Sequence, residues 1–217
     1  MQSVLRASHY ALQSLVGAIL FLSLGPLSVA ASTQDRERWD NKYDSEVYLF
    51  GTRPTRFLEE NIRLLPKGKA LDIAMGEGRN GVFLAIHGFD VLGVDISAKG
   101  LEKAHKLAEQ NHVKIETQVV DLESYTLPKN TFDVVMCTYY MQRNLFPKMK
   151  EAVKPGGMVY VETYNVDYVK YTGFRREWAL EMNELLDVFK DFKIIKYEIY
   201  DDGSEAYSSI IAQRPMP

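Results

Sequence analysis

An α/β fold, built on a doubly wound, mostly parallel, seven-stranded sheet, is predicted by three features of this sequence. Short apolar runs alternate with helical patterns along the chain. The first run opens into the glycine-rich turn Gly76-Glu77-Gly78-Arg79-Asn80-Gly81. The chain closes on two β-rich runs joined by Asp201-Asp202-Gly203-Ser204. Strand and helix in alternation mark a parallel sheet covered on both faces, and a short Asp-Gly link between β-rich runs reads as a hairpin. The expected architecture is therefore Rossmann-like with a C-terminal antiparallel β-hairpin.

The elements follow in order. Arg6 gives a positive start, residues 12–24 are largely apolar, and Gly25-Pro26 is expected to break the helix there. Small residues at Ser28 and Ala30, or at Val29 and Ala31, fit a cleavage site. The apolar core is shorter than the roughly 20 residues of a comfortable membrane span. Residues 1–31 are expected to be a signal peptide or an N-terminal membrane anchor, and residues 32–217 one domain. That places the protein outside the cytoplasm or tethered at a membrane, with a cytoplasmic location as the alternative. A polar stretch from Ser32 to Asp44 leads into an aromatic leader containing Trp39, Tyr43, Tyr48 and Phe50. These rings either pin the leader to the core or cover a ligand. Pro54 suits a helix start, with Phe57, Leu58, Ile62 and Leu65 at helical spacing and Pro66-Lys67-Gly68 as the stop.

Residues 70–75 read as the first strand, apolar enough to be buried on both faces. Residues 78–87 are helical and Gly88 stops them. A second strand over 90–96 ends on Asp95, and Ser97 caps a helix reaching about Gln110. The third strand, 113–120, ends on Asp121, and the fourth spans 132–139. A helix over 145–153 precedes a tight turn, Lys154-Pro155-Gly156-Gly157, and a fifth strand over 158–164. A connection (165–176) leads to a helix over 178–189, anchored by Trp178, before the hairpin strands at 192–200 and 206–212.

Composition bounds the chemistry. A chain of 217 residues with 46% hydrophobic residues fills one core, and a net charge of -3 argues against a nucleic-acid footprint. Cys137 is the only cysteine, and its apolar strand makes it an inert core residue. With four unclustered histidines and no cysteine set, no metal site is expected.

In an open parallel sheet, ligands bind beyond the carboxyl ends of the strands. The residues there are Asp72, Gly76 and Gly78, then Asp95, Asp121, and Cys137 to Tyr140. Gly76-x-Gly78-x-x-Gly81, with Asp95 after the second strand, formally satisfies a dinucleotide fingerprint. The charges oppose that reading. Asp72 and Glu77 crowd the place of a pyrophosphate, no basic residue precedes Arg79 in the turn, and like charges this close cost several kcal/mol. A cationic ligand suits the turn better. Asp72 as a turn cap, and Asp95 as an ordinary helix-start acid, are the structural alternatives.

Asp72-x-x-x-Gly76-x-Gly78-Arg79-Asn80 resembles motif I of the class I S-adenosylmethionine-dependent methyltransferases, in particular the tellurite-resistance and thiopurine methyltransferase-like branch. Trp39-x-x-x-Tyr43, Phe50-Gly51-x-x-Pro54, Val94-Asp95-Ile96-Ser97, Asp121-Leu122, Phe132-Asp133-Val134-Val135, Lys154-Pro155-Gly156-Gly157 and Glu162-Thr163-Tyr164 extend the similarity along the chain. The resemblance implies S-adenosylmethionine as cofactor. It sets the backbone of Ala74, Gly76 and Gly78 against the methionine portion and Asp72 near its ammonium, with Asn80 beside them. It sets Asp95 and Ile96 at the ribose, Asp121 and Leu122 at adenine, and Tyr139 near the methyl donor as the candidate catalytic residue. The family usually has glycine where this chain has Ala74. Methyl transfer to a small-molecule acceptor follows, by in-line displacement that asks for approach geometry and a dry cleft rather than an acid–base pair. Tyr140, Arg143, Glu162 and Tyr164 border the same mouth. A nicotinamide-dependent oxidoreductase and a non-catalytic ligand- or partner-binding module are the competing readings. Any membrane contact is expected only through the N-terminal segment.

Overall fold

The computed structural model describes residues 25–216. Residues 1–24, most of the expected signal or anchor segment, lie outside them. The described residues begin within helix α1 (Gly25–Tyr43), which includes Gly25-Pro26. Helix α1 runs across the boundary expected at residue 31, and the stretch read as a polar approach is its C-terminal half. Among the described residues no helix is long and apolar enough to cross a membrane.

Next come α2 (Arg56–Asn61), β1 (Lys69–Ile73), α3 (Arg79–Ile86), β2 (Asp90–Asp95) and α4 (Ala98–Gln110). After them lie β3 (Glu116–Val119), β4 (Phe132–Thr138), α5 (Leu145–Ala152) and β5 (Val153–Tyr164). The chain ends with α6 (Val166–Tyr171), α7 (Glu184–Val188), β6 (Lys193–Asp201) and β7 (Ala206–Gln213). The sheet is seven-stranded in the order β3-β2-β1-β4-β5-β7-β6. Strands β1 to β5 pair in parallel, and β7 runs antiparallel between β5 and β6. This is the doubly wound sheet with a closing hairpin that the alternation predicts. It differs from the 3-2-1-4-5-6 order of dinucleotide-binding sheets.

Alternate residues of the central strands face opposite layers. Leu71, Val135 and Val159 pack with Leu145, Met149, Leu185 and Phe189 on one side. Ala70, Val134 and Tyr160 pack with Phe57, Leu84, Leu101 and Leu107 on the other. Burial on both faces is why these strands read as unbroken apolar runs.

Two predicted elements differ. The tight turn over 154–157 is a bulge inside β5, because Val153 pairs with Phe132 and Met158 with Val134, leaving Asp133 opposite the intervening residues. Asp133 holds the bulge by accepting from Lys154 Nζ at 2.9 Å and from the Lys69 N–H at 2.8 Å. The helix expected over 178–189 is a 3-10 turn, Arg176–Trp178, followed by the short α7. Trp178 is 44% exposed and therefore anchors no helix. Asn183, at φ 63, interrupts the path before α7.

The leader is fastened to the sheet by a buried ion pair. Glu77 Oε1 lies 2.6 Å from Lys103 Nζ of α4, and the Glu77 carboxylate also accepts from the Leu49 and Phe50 N–H groups at 3.1 and 3.2 Å. Lys103 Nζ donates to the carbonyls of Ser45 and Val47 at 2.8 and 2.7 Å, so the three ammonium protons have three acceptors. Removing one partner of such a pair leaves the other charged and buried, which costs about 3 kcal/mol or more. Lys103→Met is expected to lower unfolding free energy by about that much in denaturant titration. It is also expected to open residues 44–53 to limited proteolysis at denaturant concentrations that leave the sheet intact. Lys103→Met with Glu77→Gln recovers part of the loss.

Candidate functional site

The parallel registers bring the carboxyl ends of β1, β2, β4 and β5 to one edge, where Ile73 sits beside Val94 and Cys137, and Cys137 beside Val161. Sheet order reverses between β1 and β4. The turn after β1 emerges at that point. Gly76 at φ 57 and Gly78 at φ 87 are left-handed, and close neighbours exclude side chains at both. A Cβ on Gly76 would meet the Tyr43 hydroxyl at 2.7 Å, and one on Gly78 would meet Ala104 Cβ at 2.6 Å. The turn is thus wedged between α1 and α4, with Gly78 capping α3.

Ala74 and Tyr139 follow β1 and β4, and both are left-handed without being glycine, at φ 55 and φ 53. Such a conformation costs an L-residue about 1–2 kcal/mol, and it persists where the surroundings over-determine it. At Tyr139 the surroundings are visible: its N–H donates to the Glu162 carbonyl at 2.8 Å, and its ring packs on Tyr164 with centroids 4.9 Å apart.

Two carboxylates lie under the turn. Asp95 accepts from the Gly76 N–H through Oδ2 and from the Ser97 N–H through Oδ1, each at 2.8 Å. Burial pushes its pKa up and nearby Asp40 adds to that, while N–H groups of Ser97, Gly76 and Ile96 pull it back. Asp72 is 2% exposed, and its Oδ2 has no hydrogen-bond partner. Burial, then the neighbouring Asp95, raise its pKa to about 8. A buried carboxylate oxygen without a donor, beside a second carboxylate, suits a cationic group.

The remaining expected residues are also placed. Asn80 is buried and engaged at both ends, its Oδ1 accepting from the Thr55 N–H and its Nδ2 donating to Thr138 Oγ1, each at 2.9 Å. It joins the turn to the leader and to β4. Ile96 is half-buried, as is Asp121, whose Oδ1 accepts from the Glu123 N–H at 3.0 Å. Leu122 is 5% exposed within the core layer of Leu71 and Val94. Cys137 is buried, its Sγ 3.5 Å from the Tyr140 carbonyl, and burial pushes the thiol up. Arg143 binds Glu184 and the carbonyls of Glu177 and Ala179, locking the 176–184 segment to the start of α5.

Glu77 needs a correction. Its carboxylate turns to the leader and pairs with Lys103, a cation that the turn sequence does not show because it comes from α4. The negative character of the site therefore rests on Asp72 and Asp95. Asp40 was not singled out by sequence reasoning. Its Oδ1 accepts from Ser97 Oγ at 2.5 Å and from the Lys99 N–H at 3.2 Å, at the N-terminus of α4. Of the leader aromatics, Tyr43 is buried against the turn, Tyr48 donates to the Lys103 carbonyl at 3.1 Å, and Phe50 is exposed. Tyr43 and Tyr48 thus pin the leader.

An acid with a pKa raised by folding binds more protons folded than unfolded, so stability falls as pH rises from its unfolded value, about 4, toward about 8. Ligand-free protein is expected to lose thermal stability over that window, and Asp72→Asn to make the fall shallower. Equal slopes for the two would exclude Asp72 as the source. At Ala74, glycine removes the left-handed penalty but adds unfolded-state entropy, for a net gain of up to about 1 kcal/mol. Ala74→Gly is expected to raise the denaturant midpoint without changing the slope.

Residues 70–157 match the family of methyltransferase domains. Over 131 residues the chain is 31% identical to the ubiquinone biosynthesis O-methyltransferase of Coxiella burnetii, covering 58% of this chain and 55% of that protein. It is 24% identical over 142 residues to the probable S-adenosyl-L-methionine-dependent methyltransferase TehB of Haemophilus influenzae, covering 62% and 49%. The chain thus spans about half the length of these curated relatives. The crystal structure of that TehB superposes with a TM-score of 0.63 at 18% identity, over 82% of this chain and 66% of the other. Magnesium protoporphyrin IX methyltransferase of Synechocystis PCC 6803, solved with bound SAH, gives 0.63 at 16% identity over 84% and 99%. These two likenesses concern the fold. The sheet order, the glycine turn and the methyltransferase-domain match agree, and the chain resembles the class I S-adenosylmethionine-dependent methyltransferases, their TehB branch in particular.

Proposed function

We propose that the protein transfers a methyl group from S-adenosylmethionine to a small-molecule acceptor by in-line displacement. The observation that carries this reading is the unpartnered Asp72 carboxylate oxygen under the turn, next to Asp95. Two buried acids there favour a ligand with an ammonium and disfavour a pyrophosphate. The hairpin-closed sheet order supports the same choice over a nicotinamide-dependent oxidoreductase.

Bound at this site, S-adenosylmethionine supplies a methyl group already activated by its sulfonium. The chain's part is to hold and to exclude. Asp72 offers an acceptor to the ammonium. Asp95 keeps lone pairs on both oxygens after accepting one N–H on each, which is what two ribose hydroxyls need. Ala74, Gly76 and Gly78 present backbone, Ile96 and Leu122 apolar surface, and Asp121 an acceptor for an adenine amino group. Asn80 holds the turn through Thr55 and Thr138. Tyr139 stands over the end of β4, and the fastened leader keeps water from the turn. The domain proposed is 32–217. Residues 1–31 are proposed as signal or anchor, the only part that would meet a membrane, and the acceptor as a small molecule with no nucleic-acid partner.

Calorimetric titration of the full chain is expected to give binding with S-adenosylmethionine and none with NAD. Asp95→Ala is expected to weaken binding at least about tenfold, the loss of charge-assisted hydrogen bonds worth about 1.5–3 kcal/mol. Binding of NAD alone would overturn the reading, and equal affinity of Asp95→Ala would overturn the ribose assignment.

A further inference from the structure

The carboxylate read as the ribose acceptor is fixed by two N–H groups, and one helix backs the residues of both. Asp95 Oδ2 accepts from the Gly76 N–H and Oδ1 from the Ser97 N–H, each at 2.8 Å. Helix α1 reaches these two residues with side chains less than a turn apart, Asp40 at Ser97 and Tyr43 at Gly76. Asp40, half-buried, accepts through Oδ1 from Ser97 Oγ at 2.5 Å and from the Lys99 N–H at 3.2 Å. Tyr43 is buried, its hydroxyl so near Gly76 that a Cβ there would meet it at 2.7 Å. The same ring lies against Gly100, where a Cβ would stand 3.0 Å from it. A spacing of three residues sets both side chains on one face of the helix. Asp44 and Lys99 add an exposed ion pair at 3.3 Å beside them.

Helix capping alone does not account for Asp40. Ser97 already caps α4 by accepting from the Gly100 N–H at 3.0 Å. Ser97 is fully buried, and a buried hydroxyl proton needs an acceptor, which Asp40 supplies. The residue is thereby held at three points: its lone pair on Gly100, its hydroxyl proton on Asp40, and its N–H on Asp95. With those groups assigned, the free lone pairs of Asp95 are left to a ligand. Asp40 also stands close enough to Asp95 for its charge to oppose ionisation there. A neutral side chain of the same shape would hold Ser97 without that opposition.

We propose that Asp40 is a positioning residue for the cofactor, holding the Asp95 carboxylate in register with the two ribose hydroxyls by way of Ser97. This deepens, and rests on, the methyl-transfer reading. In this role Asp40 needs no contact with the ligand, because it acts on how one acid is presented. Hydrogen bonds weaken steeply as they bend, so a small rotation of Asp95 spoils a contact made to two hydroxyls at once. Helix α1 thereby becomes part of the cofactor site, although it lies outside the glycine turn and its acids. A change at Asp40 is felt at the ribose hydroxyls and not along the rest of the ligand.

The test uses the full chain in calorimetric titration with S-adenosylhomocysteine and with its 2′,3′-dideoxy analogue, which keeps every other group. Asp40→Ala is expected to weaken S-adenosylhomocysteine at least fivefold and the dideoxy analogue less than twofold, since the analogue cannot make the affected contact. Asp40→Asn keeps an acceptor oxygen for Ser97 and is expected to bind S-adenosylhomocysteine within twofold of wild type. Alanine is the better helix former, so Asp40→Ala is expected to retain α1. If it does not fold, Ser97→Ala, which keeps the N–H to Asp95, carries the test with the same selective loss. Unchanged affinity of Asp40→Ala for S-adenosylhomocysteine overturns the proposal, and so does an equal loss for both ligands, the mark of a structural role. Asp40→Asn losing as much as Asp40→Ala overturns it too. Wild type binding neither ligand is a different result, which sinks the methyl-transfer reading itself.

Discussion

The contact on which the site depends is the buried pair between Glu77 and Lys103. A glycine-rich turn has backbone freedom that must be removed before it can hold a ligand. Here the removal comes from outside the turn. Glu77 ties it to α4 through Lys103 and to the leader through two N–H groups, and Lys103 ties the same leader through two carbonyls. Charge in a desolvated place is costly unless fully satisfied, so this pair tolerates few arrangements. It gives the turn a single position relative to α1, α4 and the segment between them.

A second set of contacts starts where that one ends. Thr138 and Thr55 both bind Asn80, Thr55 Oγ1 lies 3.0 Å from the Tyr160 hydroxyl, and Tyr160 donates to Glu162. Polar side chains thus link the turn after β1 to the end of β5 through the interior, with the strained Tyr139 between the two ends. A chain of satisfied hydrogen bonds in a low-dielectric interior is stiffer than its separate links. Strain at Ala74 and Tyr139 is sustained by that stiffness, and both lie where the proposed cofactor and acceptor meet.

Much of the site was legible in the sequence because its parts are local. Asp72, Gly76 and Gly78 lie within one strand-turn-helix, and Ser97 caps α4 as its type and place suggest, accepting from the Gly100 N–H at 3.0 Å. Glu77 misled, since it was read with the charges of its own turn while its partner sits a helix away. Asp40 and Thr55 gave almost no signal, because one reaches the site from a helix that reads as a polar leader and the other by a backbone N–H. The helix expected near 178–189 failed for another reason: Leu180, Leu185 and Phe189 do fill the core, but left-handed Asn183 breaks the path between the 3-10 turn and α7, and apolar spacing does not show such a break.

The sequence by itself determined the layer order of the fold, the hairpin that closes it, and the turn with its acids. Periodicity and turn chemistry are properties of neighbours along the chain. Only the tertiary structure decided which acids stay unpaired. The arrival of Lys103 pairs Glu77, while Asp72 keeps an oxygen without a donor and Glu162 accepts from the hydroxyls of Tyr160 and Ser209. Whether a carboxylate is a strut, a cation site or a hydrogen-bond acceptor depends on what packs against it, and those partners come from distant parts of the chain.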